Sequence, residues 1–113
     1  MATWRDVCEL GLALPGTEEG TSWRQPALKV AGKTFVNISP HEEGALVVRV
    51  DPEERPLLLE SRRDLFYVTP HYEGWPLLLV RLEAADRDAL AERLEDSWLI
   101  VAPKRLVDAH GTD

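Results

Sequence analysis

Only one cysteine, Cys8, occurs in the 113 residues. A disulfide within the chain is therefore impossible, and so is a zinc site built from several thiolates. Histidine is nearly as sparse: His41, His71 and His110 stand far apart, and no two have the four-residue spacing that sets a pair of ligands on one helix face. No metal site and no cofactor is expected. The phosphate-cradling patterns G-x-x-x-x-G-K-[ST] and G-x-G-x-x-G are missing, as is the zinc-protease pattern H-E-x-x-H. Ser22, Ser39, Ser61 and Ser97 lie in no motif that would activate a hydroxyl. With no catalytic constellation, the chain reads as a binding domain rather than an enzyme.

Long apolar runs are lacking too. Stretches such as Leu77–Val80 fall far short of the roughly 20 residues that span a bilayer, so no membrane partner is expected. The first residues form a short amphipathic pattern, not a basic stretch followed by an apolar run. No signal peptide is expected, and the cytoplasm is the expected location. Basic charge is in deficit: 13 Lys and Arg against 20 Asp and Glu give a formal charge of -7. That balance repels nucleic acid and anionic membrane on average.

What is present suffices for one core. The hydrophobic fraction is 44% and the charged fraction 29%, ordinary values for a globular domain. The length predicts a single domain over residues 1–113, monomeric, with 108–113 as a frayed tail.

Thr3 reads as an N-cap with Asp6 three residues on. Trp4, Val7, Cys8, Gly11 and Leu14 then recur at helical spacing until Pro15-Gly16. Thr17–Ser22 reads as a loop. Leu28–Val30 and Lys33–Ile38 flank Ala31-Gly32, which predicts a hairpin. Ala45–Val50 supplies a third strand, with Leu46, Val48 and Val50 toward the core and Arg49 away from it. A short helix with Leu57, Leu58 and Leu59 begins near Pro56. Leu65–Thr69 and Trp75–Leu82 are two further strands, joined through a loop at Pro70–Gly74, with Arg81 outward. Asp86 caps a last helix whose buried stripe is Leu90, Leu94, Trp98 and Val101, and Pro103 ends it. The fold class is α+β, in the order α-β-β-β-α-β-β-α. Hairpins dominate, so a mostly antiparallel five-stranded sheet with helices on one face is expected.

Four segments carry a resemblance: Leu14-Pro15-Gly16-Thr17-Glu18-Glu19-Gly20-Thr21-Ser22-Trp23; Pro26-Ala27-Leu28-Lys29-Val30; Phe66-Tyr67-Val68-Thr69-Pro70-His71-Tyr72; and the ending from Trp98 through Ala102-Pro103-Lys104-Arg105. Together they resemble the MmcQ/YjbR family over roughly Thr3 to Leu106. The resemblance implies the same element order and a fold compared with frataxin-like and secretion-chaperone-like domains. It also implies DNA binding through a double-wing arrangement. It gives no catalytic residues to carry over.

Charge is unevenly spread. No acidic residue occurs between Gly20 and His41, where Arg24, Lys29 and Lys33 are basic, nor between Ser97 and Val107, where Lys104 and Arg105 are basic. These stretches are expected to meet as one electropositive face that takes an anion, such as a phosphate backbone; solvated surface charge is the plainer alternative. Trp23, Tyr67, Tyr72 and Trp75 lie in or beside loops, where rings next to arginine could stack on a base or hold an apolar ligand; for Trp23 and Trp75, packing into the core or anchoring a loop is the plainer reading. His71, in Thr69-Pro70-His71-Tyr72, is read as a hydrogen-bonding or ligand-contacting histidine. Glu92, Glu95 and Asp96 share a helix side, read as a solvated face, with weak divalent-cation binding as the lesser alternative.

Two functions compete on these grounds. DNA binding, weak and salt-sensitive, would use the basic hairpin and the aromatic loop around His71. Alternatively the domain binds a small anionic ligand or a protein, on a concave sheet lined by Tyr67, Trp75, Arg24 and Arg81.

Overall fold

The computed structural model describes residues 2–111. Helix α1 (Trp4–Gly11) leads into four strands: β1 (Thr17–Ser22), β2 (Gln25–Val30), β3 (Lys33–Ile38) and β4 (Ala45–Arg49). Helix α2 (Arg55–Ser61), the short β5 (Phe66–Tyr67), the single-turn α3 (Pro70–Glu73) and β6 (Leu77–Arg81) follow. A 3₁₀ turn at Leu82–Ala84 precedes α4 (Arg87–Val101) and α5 (Lys104–His110). The strands form one six-stranded sheet in the order β1-β2-β3-β4-β6-β5, antiparallel throughout.

The α+β class and the antiparallel sheet are as expected, and several details differ. Thr17–Ser22 is not a loop but an edge strand, paired with β2 from Thr17↔Val30 to Ser22↔Gln25. Its polar sequence hides it, because an edge strand with little core to cover needs no apolar alternation. Pro70–Glu73 is one helical turn, with proline in its first position. Trp75 precedes β6 rather than opening it. Only Phe66 and Tyr67 of the Leu65–Thr69 run are strand. Beyond Pro103 the chain resumes as α5 up to His110, where a frayed tail was expected from 108; Thr112 and Asp113 lie outside the described residues.

Directly opposed residues of an antiparallel pair share a face, so the register assigns the two sides. Leu28, Val36, Val48 and Leu78 form one row. They belong to the main core, against which α1, α4, α2 and α5 pack through residues such as Val7, Leu94, Leu58 and Leu106. The next row, Gly20, Ala27, Asn37, Val47, Leu79 and Tyr67, faces the other way. There only α3 covers the sheet, with buried Tyr72 on Ala45, Val47 and Leu79. Not every helix is on one side, then: α3 splits the second face into a covered half and an open half.

Helix starts obey their caps. Thr3 and Asp6 form a capping box, and the Asp86 carboxylate accepts from the Ala89 amide at 2.8 Å. Trp98 is fully buried and its indole N–H donates to Pro15 O at 3.1 Å.

A β-bulge interrupts the centre of the sheet. Pairing passes from Leu28↔Val36 to Lys29↔Thr34, so Phe35 is an extra residue. An extra residue lets two neighbours point the same way, and Phe35 and Val36 both enter the helix-side core. The ladder between β3 and β4 stops at Val36↔Val48. Beyond it the Ser97 hydroxyl of α4 takes over, donating to Phe35 O and accepting from the Arg49 amide at 2.8 Å.

Candidate functional site

The open half of the second face holds a cleft of about 650 Å³, a size that suits a small-molecule ligand. Its floor is the sheet: Thr34 and Asn37 of β3, Val47 and Arg49 of β4, and Leu77 of β6. One wall is the β1–β2 turn, with Ser22 and Trp23. The opposite wall is His41, His71 and Tyr72, and Trp75-Pro76 closes one end.

The turn that carries Trp23 is unusual. Ser22 pairs with Gln25 across two residues in the left-handed region, Trp23 at φ 54 and Arg24 at φ 64. Asn-Gly or Gly-Gly is the ordinary choice for such a turn. The β2–β3 turn follows that habit more closely, with Ala31 at φ 51 and Gly32 at φ 79. Each left-handed non-glycine residue costs about 1 kcal/mol or more. The strained turn leaves the Trp23 ring 79% exposed at the lip of the cleft.

The histidine wall is a tight cluster. The His41 and His71 rings lie 4.0 Å apart, with Tyr72 edge-on to His71 at 4.9 Å. Ser39 organises it: its oxygen accepts from the His41 and Glu42 amides at 3.1 and 3.0 Å. With both lone pairs used, the Ser39 hydrogen goes to Tyr72 Oη, 2.8 Å away.

Trp75, 64% exposed, is held from behind by Arg55 of α2. The Arg55 guanidinium donates to Trp75 O at 2.6 Å, Leu77 O at 3.2 Å and Glu73 O at 2.9 Å. One planar fork thereby ties the whole α3–β6 connection to α2.

Two polar floor residues face the cleft. Arg49 is exposed, and its guanidinium has no hydrogen bond or ion pair among the described residues. Asn37 is only 8% exposed; its amide donates to Ile38 O at 2.9 Å, and its carbonyl oxygen has no partner among the described residues. No aspartate or glutamate lines the cleft, although the chain carries a formal charge of -7.

Of the residues singled out in the sequence, His71, Tyr72 and Trp75 line this cleft, and Arg24 sits beside Trp23 in the turn. Tyr67 and Arg81 lie elsewhere. The Arg81 guanidinium stacks on the Tyr67 ring at 3.9 Å, beside a hollow that Glu43 and Glu83 also line. Burial pushes the Tyr67 phenol up, with Glu42 adding to it.

The single electropositive face does not form. Lys29 lies on the open face directly opposite Glu18, with its stem over Gly20. Lys104 and Arg105 are on α5, which packs on the helix side through Leu106 and Val107; Lys104 pairs there with Asp108 at 3.8 Å. Lys33 is exposed at the β2–β3 turn. The acidic side of α4 is partly engaged: Asp96 and Glu92 hold buried Arg93 at 2.6 and 3.4 Å, and Glu95 meets His110 at 3.0 Å. Among the described residues no group of three or more His, Cys, Asp or Glu is placed to hold a metal ion, and no helix is long and apolar enough to cross a membrane.

The YjbR family model matches residues 12–100. The chain belongs to the YjbR family. Two relatives of this YjbR domain, each described as an uncharacterized protein, come from Mycobacterium bovis and Mycobacterium tuberculosis. Each is 32% identical over 123 residues, spanning 96% of this chain and 95% of the relative. A crystal structure of a Deinococcus radiodurans protein with a DUF419 domain is similar in fold. Its TM-score is 0.76 at 20% identity, over 100% of the YjbR domain and 91% of that chain.

Sequence reasoning missed Arg49, Asn37, His41 and Arg55 as site residues. Arg49 carried a usable signal, an outward arginine in an apolar strand. Outward from the core is, on this sheet, inward to the cleft. Arg55 carried none, because its three acceptors are backbone carbonyls remote in sequence.

Proposed function

We propose that this YjbR domain is a non-catalytic binding module for a small organic anion with a flat apolar body, held in the open-face cleft. The observation that carries the reading is the lining: exposed tryptophans, an unpaired arginine, two histidines and no carboxylate, in a chain of charge -7. An acidic protein that keeps carboxylates out of one concave apolar site has made that site hospitable to negative charge. In this reading Arg49 takes the anion, and Trp23 and Trp75 flank the ring at the mouth.

Duplex DNA, the reading that the family resemblance implied, has less support. Its basic residues are divided between the two sides of the sheet, and Lys29 faces Glu18.

Titration with 2-naphthoate, followed by calorimetry and thermal shift, tests the proposal. Binding should raise Tm, and Arg49→Gln should weaken it about tenfold, the loss of one charge-assisted hydrogen bond. No binding at millimolar naphthoate, or an unchanged affinity in Arg49→Gln, overturns it. So does a low-salt shift of random duplex DNA that disappears as salt rises.

A further inference from the structure

We infer that the cleft selects flat rings that carry an N–H donor, through the carboxamide of Asn37, so that the ligand class is a heteroaromatic acid. The inference rests on the cleft reading above and adds what distinguishes one aromatic acid from another.

Asn37 is out of place by composition. Its row across the open face is otherwise Gly20, Ala27, Val47, Leu79 and Tyr67. Asparagine is disfavoured in strands, and an amide on an apolar row is held there by the hydrogen bonds it makes. Here only the nitrogen side is filled. The bond from Asn37 Nδ2 to Ile38 O also settles which way the amide lies, since its oxygen cannot face a carbonyl. Oδ1 is therefore directed away from Ile38, and the residue lines the cleft. Oδ1 is open to the cleft rather than sealed in the core, so an acceptor there without a protein donor is a place for a donor from a ligand.

The spacing defines the ligand further. Asn37 is paired with Val47, and Arg49 lies two residues further along β4. Two residues of strand correspond to about 7 Å, roughly the length of a fused bicyclic ring. One face of such a ring can meet an exposed indole while its N–H edge reaches Asn37 and its acid reaches Arg49. Catalysis is not required of any of them.

Calorimetry with two isosteres tests this: indole-3-carboxylate, which has a ring N–H, and 1-benzofuran-3-carboxylate, in which oxygen replaces it. The indole acid should bind about tenfold more tightly, because the furan oxygen leaves Oδ1 unpaired. In Asn37→Leu the two should bind alike. Equal affinities in the unmodified protein overturn the inference while leaving the cleft reading intact, and that comparison needs no variant to fold. Failure of the indole and benzofuran acids and of naphthoate to bind overturns both. A preference for the indole acid that persists in Asn37→Leu overturns the assignment to Asn37.

Discussion

Replacing Ser97 with alanine should destabilise the domain far more than loss of one small side chain suggests. Ser97 is wholly inaccessible to solvent. Its hydroxyl stands in for the missing rung between β3 and β4, joining Phe35 O to the Arg49 amide. Alanine fills nearly the same space, so the cavity term is small. What remains is two backbone groups stripped of a partner, one buried and one partly buried. Each such group costs about 1–3 kcal/mol, and partial access at Arg49 brings the sum to about 2–4 kcal/mol. Against a typical stability of about 5–15 kcal/mol, that is a large fraction. At roughly 4 °C per kcal/mol for a domain of this size, Tm should fall by about 8–16 °C. Urea unfolding gives the quantity directly, provided the m-value is unchanged. Ser97→Cys, a weak donor and acceptor, should fall between the two. A loss below about 0.5 kcal/mol in Ser97→Ala, within ordinary surface effects, would refute the claim that the hydroxyl closes the ladder.

Three further outcomes follow from the geometry. Arg55→Lys should lower stability by about 1–2 kcal/mol and weaken naphthoate binding, because an ammonium cannot reach three carbonyls as a planar fork does; unchanged urea melts and affinity would count against the clamp. The Thr3 amide, as principal cause, holds the Asp6 carboxyl below its ordinary value of 3.8. A depressed carboxyl contributes stability above its unfolded value and loses it as pH falls through the folded one. The stability gap between the wild type and Asp6→Asn should therefore be constant above about pH 5 and shrink as acid is added, measured by denaturant melts across pH; a pH-independent gap refutes it. Thr69→Val should be neutral or stabilising by up to about 1 kcal/mol, since its buried hydroxyl has no partner to lose; a loss of more than about 1 kcal/mol would show otherwise.

The parts of the fold readable from sequence are those where local pattern and core agree. The spacing of Leu90, Leu94 and Trp98 predicts the α4 stripe, and the alternation of Leu46, Val48 and Val50 predicts the inner face of β4; all six are buried. Strand β1 escaped because Thr-Glu-Glu-Gly-Thr-Ser carries no alternation and its turn, Trp23-Arg24, lacks the expected residues. That one omission propagated. Without β1, nothing placed Glu18 opposite Lys29, and the hairpin looked purely basic. The aromatic density at His71, Tyr72 and Trp75 was legible because those residues are neighbours in the chain. Their partners Asn37 and Arg49 come from β3 and β4 and His41 from the loop between them, and only the pairing of those strands with β6 brings them to one cleft.

The strained β1–β2 turn has a consequence for anyone who would improve this scaffold. Asn-Gly at positions 23 and 24 would relieve the left-handed backbone and give a sturdier hairpin. It would also delete the indole that overhangs the cleft. At these two positions a relaxed backbone and an overhanging indole exclude one another, so a gain in sturdiness there is always a loss of aromatic surface.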